Sequence, residues 1–529
     1  MAKEKFEYAQ IVQSKFHSSK ILSCNINNYE GPSDQMTGFI HDSKLQPNHS
    51  TTAIFESSTS QRLNPETVYL SMRQVVLEHP RLSIAYIRTL ERSGHKRHAV
   101  QLSRLDLREC ISFVDDSRLQ PNDLLEKTEY QWFKRESLLP QWQLVVLNGK
   151  DVIFLFNHLA CDGLSTMAFY RSLLSALNES KSISGSELDN LVDPVLQIPE
   201  MPLVESPFAK FERDTPMICM LGNAFREVFR TALISVLYHG KRQLFYDFRH
   251  SKYQRRRGDE VMSKETQQLS HPKYENVKIS NEMMAKLARV CKEHGTTFTG
   301  LLHTLIIAIQ SSYVYPSAKI ARSRIAVSYR RYSGTPNSVM TDEVGNIYWG
   351  RRLKDLRGVF MMADPVSMWD IIWNEARKYK DYVKGDLDNE EKHAKINGHA
   401  KFMGQTDEKI TKTMGLLGQQ RHRTLEISNL GVFSQSIGLT EKSSPQSSEA
   451  WRITGYSFNS APSHRSFGSS ISVGIVSMEA GDCNINIGYD GYAIDEYLIQ
   501  HFASLLHQKL KECSAADDMQ EMNVFKELI

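Results

Sequence analysis

The sequence lacks the signatures of several large classes of protein. None of its 7 cysteines stands in a Cys-x-x-Cys pair, which argues against a zinc site and against a disulfide framework. The 64 Lys and Arg nearly balance the 61 Asp and Glu, so no dominant basic face for nucleic acid is expected. The Gly-x-Ser-x-Gly of many serine hydrolases and the glycine-rich signatures of nucleotide-binding sites are also missing. We therefore expect neither a bound metal nor a nucleic-acid partner.

Long apolar runs are missing as well. No segment has the roughly 18 uncharged apolar residues that a membrane span needs, and the first residues do not resemble a signal peptide. We therefore expect a cytoplasmic protein. The segment 217–238 has apolar residues at helical spacing, with Arg226, Glu227 and Arg230 on the opposite side. It fits a buried or interdomain helix, or a helix lying in a membrane interface, which would bring the protein to the endoplasmic reticulum or to lipid droplets.

The length of 529 residues is too great for a single hydrophobic core, so we expect more than one domain. Prolines and polar residues accumulate between 178 and 216, and 249–275 is similarly polar, which is typical of linkers or long excursions. The predicted division is an N-terminal domain at 1–210, a linker or crossover segment at 211–275 and a C-terminal domain at 276–529.

Strands and helices alternate in both halves, which predicts a mixed α/β fold. A helix over 64–80 is signalled by Asn64 as its cap and Pro65 at its first position. The apolar runs 142–147 and 152–156 flank Asn148-Gly149, the dipeptide preferred in tight hairpin turns. In the second half the same reasoning predicts helices near 283–295, 299–309 and 370–382, strands at 324–329, 424–427, 471–476 and 483–489, and a closing helix containing 498–506.

The second strand of that hairpin runs directly into His158-Leu159-Ala160-Cys161-Asp162-Gly163, after which the apolar spacing becomes helical. A neutral imidazole can take a proton from an alcohol or amine that attacks a carbonyl, and Gly163 would allow a sharp turn and a close approach by a bulky substrate. His-x-x-x-Asp is a weak pattern on its own. The alternative is that Asp162 only caps the following helix and that His158 is a buried core histidine.

The stretch 156–163 resembles the HxxxDG motif of the CoA-dependent acyltransferases, which include chloramphenicol acetyltransferase, the plant BAHD enzymes and the condensation domains. The chain is most similar to the fungal alcohol O-acetyltransferases within that superfamily. The DFGWG motif of the plant branch is absent, and Ser428-Asn429-Leu430-Gly431 stands in its place. Further similar segments are 75–82, 142–144, 325–331, 344–346, 427–433 and Ser463-His464.

The resemblance implies two chloramphenicol-acetyltransferase-like domains with mixed sheets and a tunnel between them. It implies acetyl transfer from acetyl-CoA, a co-substrate and not a resident cofactor, to an alcohol, with His158 as the general base in a ternary complex. An amine acceptor, or a non-catalytic ligand-binding relative, remains an alternative, and a monomer is expected. In such enzymes the motif aspartate, here Asp162, pairs with an arginine, here Arg330 or else Arg331. The tunnel residues that the resemblance implies are Asn346, Ser428, Asn429 and His464.

Overall fold

The computed structural model describes residues 21–23, 32–43, 46–128, 138–180, 193–201, 221–222, 225, 229, 272–314, 316, 318–389, 406–411, 423–435, 451–462, 468–469, 471–491 and 494–527. The strands are β1 (Ile21–Ser23), β2 (His49–Ser57), β3 (Ile84–Glu91), β4 (Gly94–Leu102), β5 (Arg104–Asp106), β6 (Ile111–Val114), β7 (Trp142–Leu147), β8 (Asp151–Phe156), β9 (Val195–Gln197), β10 (Pro272–Ile279), β11 (Ile320–Ser328), β12 (Val344–Arg352), β13 (Leu425–Phe433), β14 (Trp451–Asn459), β15 (Ile471–Met478) and β16 (Cys483–Asp490). The helices are α1 (Pro32–Asp42), α2 (Pro65–Glu78), α3 (Pro121–Thr128), α4 (Gly163–Ser180), α5 (Asn281–Glu293), α6 (Phe298–Ile309), α7 (Arg330–Ser333), α8 (Pro365–Leu387) and α9 (Glu496–Glu527). Short 3₁₀ turns lie at Pro80–Ser83, Leu107–Glu109 and Val359–Met361, and a π-helical turn lies at Gln310–Val314.

The first half of the chain is built around a five-stranded mixed sheet in the order β14-β2-β8-β7-β6. The predicted hairpin of β7 and β8 is confirmed, and Asn148 and Gly149 have φ values of 54° and 62°, as the tight turn requires. Alternate residues of β8 pack into two different hydrophobic clusters, one on each face of the sheet. Burial on both faces explains why residues 152–156 of this strand are all apolar.

Helix α2 begins as predicted. The side chain of Asn64 accepts a hydrogen bond from the amide of Thr67, and Pro65 occupies the first turn. The helix buries Val68, Met72, Val75 and Val76 in the hydrophobic core, where it packs against α4. Helix α4 therefore starts from a fixed position directly after the His158 turn.

The second half is built around a six-stranded mixed sheet in the order β10-β16-β15-β13-β11-β12. Its core is filled by apolar side chains from this sheet and from α5, α6, α8 and α9. The parallel pairing of β11 with β13 covers residues 323–325 and 425–427. The residues that follow on both strands line a cavity described below.

One strand of the second half belongs to the sheet of the first. Strand β14 pairs antiparallel with β2 along its length, and the side-chain amide of Asn486 on β16 donates to the carbonyl of Phe458 on β14 at 3.0 Å. The sheet of the first half therefore contains a strand from beyond the predicted domain boundary at residue 276. The limits of the domains remain a prediction.

Most of the predicted linker at 211–275 lies outside the described residues. Of the segment 217–238 the structure describes Leu221, Gly222, Phe225 and Phe229, which are helical. Their three apolar side chains are exposed. Within the described part of the chain, no helix is long and apolar enough to cross a bilayer.

Candidate active site

A cavity of about 730 Å³ lies between the two large sheets. The first sheet contributes His49 from β2 and Phe156 from the end of β8, and the turn after β8 adds His158. The opposite wall comes from β11, β13 and the second half of α8. Both halves of the chain therefore supply residues to one site.

The turn after β8 presents the imidazole of His158 to this cavity. The carbonyl of Asn157 accepts the amide of Ala160 at 2.9 Å, and the side-chain oxygen of Asn157 accepts the amide of Leu159 at 2.9 Å. Arg81 donates from Nε to the carbonyl of Ala160 at 2.7 Å. These hydrogen bonds hold the residues on both sides of His158 in place. The side chain of His158 is 20% exposed, whereas the residues next to it in the turn are buried.

Asp342, which the sequence did not suggest, lies behind His158. Its Oδ1 is 3.2 Å from Nδ1 of His158, and its side chain is only 9% exposed. An ionised carboxylate can only accept hydrogen bonds, so this contact assigns a proton to Nδ1. The other ring nitrogen, Nε2, is then the one that can accept a proton from a substrate.

Asp162 lies at the centre of a buried network. Its Oδ2 accepts from Nη1 of Arg330 at 2.5 Å and from the amide of Glu343 at 2.9 Å, and its Oδ1 accepts from the amide of Ser165 at 2.8 Å. The side chains of Asp162 and Arg330 are each 4% exposed. Asp162 thus caps α4, as the simpler interpretation held, and also pairs with the arginine that the resemblance implied. Arg331 is exposed and lies 3.6 Å from Asp388 instead.

Gly163 opens α4 at the cavity wall. A Cβ at this position would lie 2.5 Å from Cδ2 of Leu430 on β13. A larger residue would therefore require the end of the Leu430 side chain, which lines the cavity, to shift.

The predicted tunnel residues divide into three cases. Ser428 and Asn429 line the cavity, and the side-chain amide of Asn429 donates to Thr299 Oγ1 at 2.8 Å. Asn346 is not among the described residues that line the cavity, but its side-chain oxygen accepts a hydrogen bond from Nε of Arg324, which does line it and which the sequence did not suggest as a site residue. His464 lies outside the described residues.

A second histidine stands next to His158. The ring of His49 makes an edge contact with the ring of His158, with the centroids 4.7 Å apart. The amide of Ala461 donates to Nδ1 of His49 at 3.4 Å, and Nε2 of His49 lies 3.1 Å from the side-chain amide nitrogen of Gln46. Burial, reinforced by the charge of His158, holds the pKa of His49 well below its usual range. His49 is therefore a neutral neighbour of His158.

The cysteine of the His158 turn is not a candidate nucleophile. Cys161 is fully buried, and burial raises its thiol pKa far above the usual range, so it does not supply a thiolate. Among the described residues, no group of His, Cys, Asp and Glu is arranged to hold a metal ion. The arrangement can accept a proton at Nε2 of His158 from a molecule bound in the cavity.

Comparisons with known proteins agree with this architecture. The fold resembles trichothecene 15-O-acetyltransferase from Fusarium sporotrichioides, at 13% identity and a TM-score of 0.63 over 94% of this chain and 98% of that one. It also resembles the epimerization domain from the third module of tyrocidine synthetase B, at 12% identity and a TM-score of 0.56 over 94% and 99%. Polyketide synthase associated protein 5 from Mycobacterium tuberculosis is similar at 13% identity and a TM-score of 0.54 over 92% and 99%.

At such low identities the structural likenesses show the fold alone. Among proteins of curated function, none matches the sequence. The family model described as alcohol acetyltransferase matches residues 121–510, which is most of the chain. That match implies an acyl-CoA co-substrate and a small-molecule acceptor. The chain belongs to the alcohol acetyltransferase family, and it is an acyltransferase.

Proposed function

We propose that this protein transfers an acetyl group from acetyl-CoA to the hydroxyl of a small-molecule alcohol, with His158 as the general base. The observation that carries the proposal is the imidazole of His158 in the cavity wall with the Asp342 carboxylate 3.2 Å behind its Nδ1. The family match supports acyl transfer, and a structural neighbour is described as an O-acetyltransferase.

In this mechanism Nε2 of His158 takes the proton from the acceptor hydroxyl as its oxygen attacks the thioester carbonyl. The imidazolium that forms faces the carboxylate of Asp342, which stabilises the positive charge. The tetrahedral intermediate then collapses, the carbon–sulfur bond breaks, and the CoA thiolate recovers the proton from His158. The products are an ester and free CoA, and no bond to the protein is made.

Asp162 takes no part in these proton transfers. Its carboxylate is occupied by Arg330, Glu343 and Ser165, and the pair with Arg330 joins the start of α4 to α7 in the other half of the chain. This network holds the His158 turn against the segment that carries Asp342, since the amide of Asp162 donates to the carbonyl of Thr341 at 3.0 Å.

The direct test incubates the purified chain with acetyl-CoA and with panels of alcohols and of amines that share the same carbon skeletons. CoA release is followed with a thiol reagent, and products are identified by mass spectrometry. We expect esters and CoA in equal amounts. Amides without esters would replace the proposal with N-acylation, and CoA release that no acceptor stimulates would contradict both.

The His158→Ala variant completes the test. General base catalysis is typically worth about 10²–10⁴-fold, so ester formation should fall by that factor. The matched control is His501→Ala, because His501 is an exposed histidine on α9 away from the cavity. If His158→Ala formed ester at the same rate as the control variant, His158 would not be the general base.

A further inference from the structure

A cluster of two arginines and one glutamate lies at the cavity wall, and two of its three members line the cavity. Arg324 on β11 and Glu426 on β13 both line the cavity, and Arg423 lies just before β13. Their side chains are 19%, 10% and 14% exposed, respectively. Nothing in the proposed proton transfer uses these charges.

The guanidinium of Arg324 is held on two sides. Its Nε donates to Oδ1 of Asn346 at 2.5 Å, and its Nη1 lies 3.3 Å from Oε2 of Glu426. Its remaining nitrogen, Nη2, has two N–H groups and makes no hydrogen bond to any part of the chain that the structure describes. An arginine fixed in this way has donors left for a ligand and loses little conformational entropy when the ligand binds.

The cluster has a net positive charge. Glu426 is shared, since Arg423 Nη1 lies 3.1 Å from its Oε1 on the side opposite Arg324. Burial alone would raise the pKa of Glu426, but the charges of Arg324 and Arg423 outweigh it, and the pKa lies below its usual range. Glu426 is therefore ionised, and one carboxylate faces two guanidinium groups.

Arg324 lines the same cavity as His49 and His158. The positive charge of Arg324 is one of the causes that lower the pKa of His49, whose ring contacts that of His158. The wall also has apolar side chains, with Phe156 and Phe458 from the sheet of the first half and Val327 from the sheet of the second. A ligand that matches these surfaces has an apolar body and one anionic group close to its reacting hydroxyl.

We propose that Arg324 is a specificity-determining residue that binds a carboxylate of the acceptor, so that the preferred acceptors are hydroxy acids with an apolar body. Asn346 and Glu426 are positioning residues that hold the guanidinium for this contact. Planar carboxylates match the donors of arginine better than they match those of other side chains. The proposal rests on the proposed O-acetyl transfer and names its acceptor class.

The test compares a hydroxy acid with its methyl ester, which has the same skeleton and hydroxyl but no charge. The measured quantity is the ratio of kcat/KM for the acid to kcat/KM for the ester. We expect the wild-type ratio to exceed one and Arg324→Met to lower it about ten- to hundredfold, as the loss of a hydrogen bond to a charged group does. Arg324→Lys keeps the charge but loses the planar donors, so its ratio should fall in between.

A second measurement needs no turnover of the acid. The carboxylic acid that lacks the hydroxyl should inhibit acetylation of the ester competitively in the wild type, and the inhibition should weaken at least tenfold in Arg324→Met. Urea unfolding of each variant checks that the fold is kept. Glu426 also pairs with Arg423 in the wild type, so removal of Arg324 should not leave its carboxylate without a cationic partner.

Three outcomes would overturn the proposal. The wild type could prefer the ester, Arg324→Met could leave the ratio unchanged while both rates fall, or the variant could alter only the KM for acetyl-CoA. In each of these cases the ester is still acetylated, so the proposed function stands and only the acceptor class is wrong. If neither compound nor any simple alcohol is acetylated, the proposed function itself has failed.

Discussion

Two aspartates near His158 occupy different environments and have different roles. Asp342 contacts the imidazole, whereas Asp162 is enclosed by Arg330, Ser165 and the amide of Glu343. Each carboxylate can therefore be removed by its own substitution. We expect the loss of Asp342 to affect the reaction rate and the loss of Asp162 to affect the stability of the fold.

We predict that Asp342→Asn lowers kcat by about tenfold or more and leaves the KM for acetyl-CoA nearly unchanged. The amide keeps the shape of the side chain but removes the charge that stabilises the imidazolium, and the full contribution of a general base is about 10²–10⁴-fold. Steady-state kinetics with a saturating alcohol measure both constants. A raised KM with an unchanged kcat would show that Asp342 acts on binding and not on the base.

For Asp162→Asn the prediction concerns stability. Both partners of the ion pair are buried, so leaving Arg330 without a carboxylate should cost about 3–5 kcal/mol of unfolding free energy. Urea denaturation measures this loss. Adding Arg330→Met should recover part of it, because the double variant no longer buries an unpaired charge. An inactive Asp162→Asn protein with wild-type stability would instead indicate a direct chemical role.

At the scale of the element, helix α6 contains a histidine that should make folding sensitive to acid. His303 is fully buried, donates to or accepts from Ser323 Oγ at 2.8 Å and stacks on Tyr379 from α8. Burial lowers its pKa from 6.5 to about 3. The unfolded state therefore binds a proton more readily than the folded state below pH 6.5, so stability is lost as the pH falls from there toward 3.

We predict that His303→Gln reduces the loss of stability between pH 7.5 and pH 5.0 by roughly 2 kcal/mol. Glutamine can still hydrogen-bond to Ser323 but does not titrate. Urea unfolding of the wild type and the variant at both pH values gives the comparison. His41 and His98 also have pKa values lowered to about 4, so both proteins should still lose some stability in acid. An equal loss in both proteins would contradict the prediction.

The sequence predicts most of these elements well because their signals are local. The β7–β8 hairpin is marked by Asn148-Gly149, and α2 by Asn64 and Pro65. Helix α8 is longer than predicted, because Asp364 accepts the amides of Val366 and Ser367 and starts the helix at Pro365. The Asp364-Pro365 pair is typical of a helix start, but the predicted helix did not include it.

At the scale of the whole molecule, the cavity lies between two sheets, and both halves of the chain supply residues to its wall. With Cys161 buried and its thiol pKa raised, we predict a ternary complex without an acyl-enzyme. Initial rates measured against both substrates should give intersecting double-reciprocal lines. Intact-protein mass spectrometry after incubation with acetyl-CoA alone should show an unmodified mass. Parallel lines together with an acetylated protein would contradict a direct transfer.

The sequence alone determined the order of most elements and the strand–turn–helix context of His158, because hairpin turns, helix caps and apolar periodicity act over a few residues. The resemblance added the pairing of Asp162 with Arg330. Only the tertiary structure brought Asp342 to His158 across 184 positions, placed β14 in the sheet of the other half and joined Arg324 to Glu426. Such contacts depend on how the two sheets pack, and no local pattern in the chain records that packing.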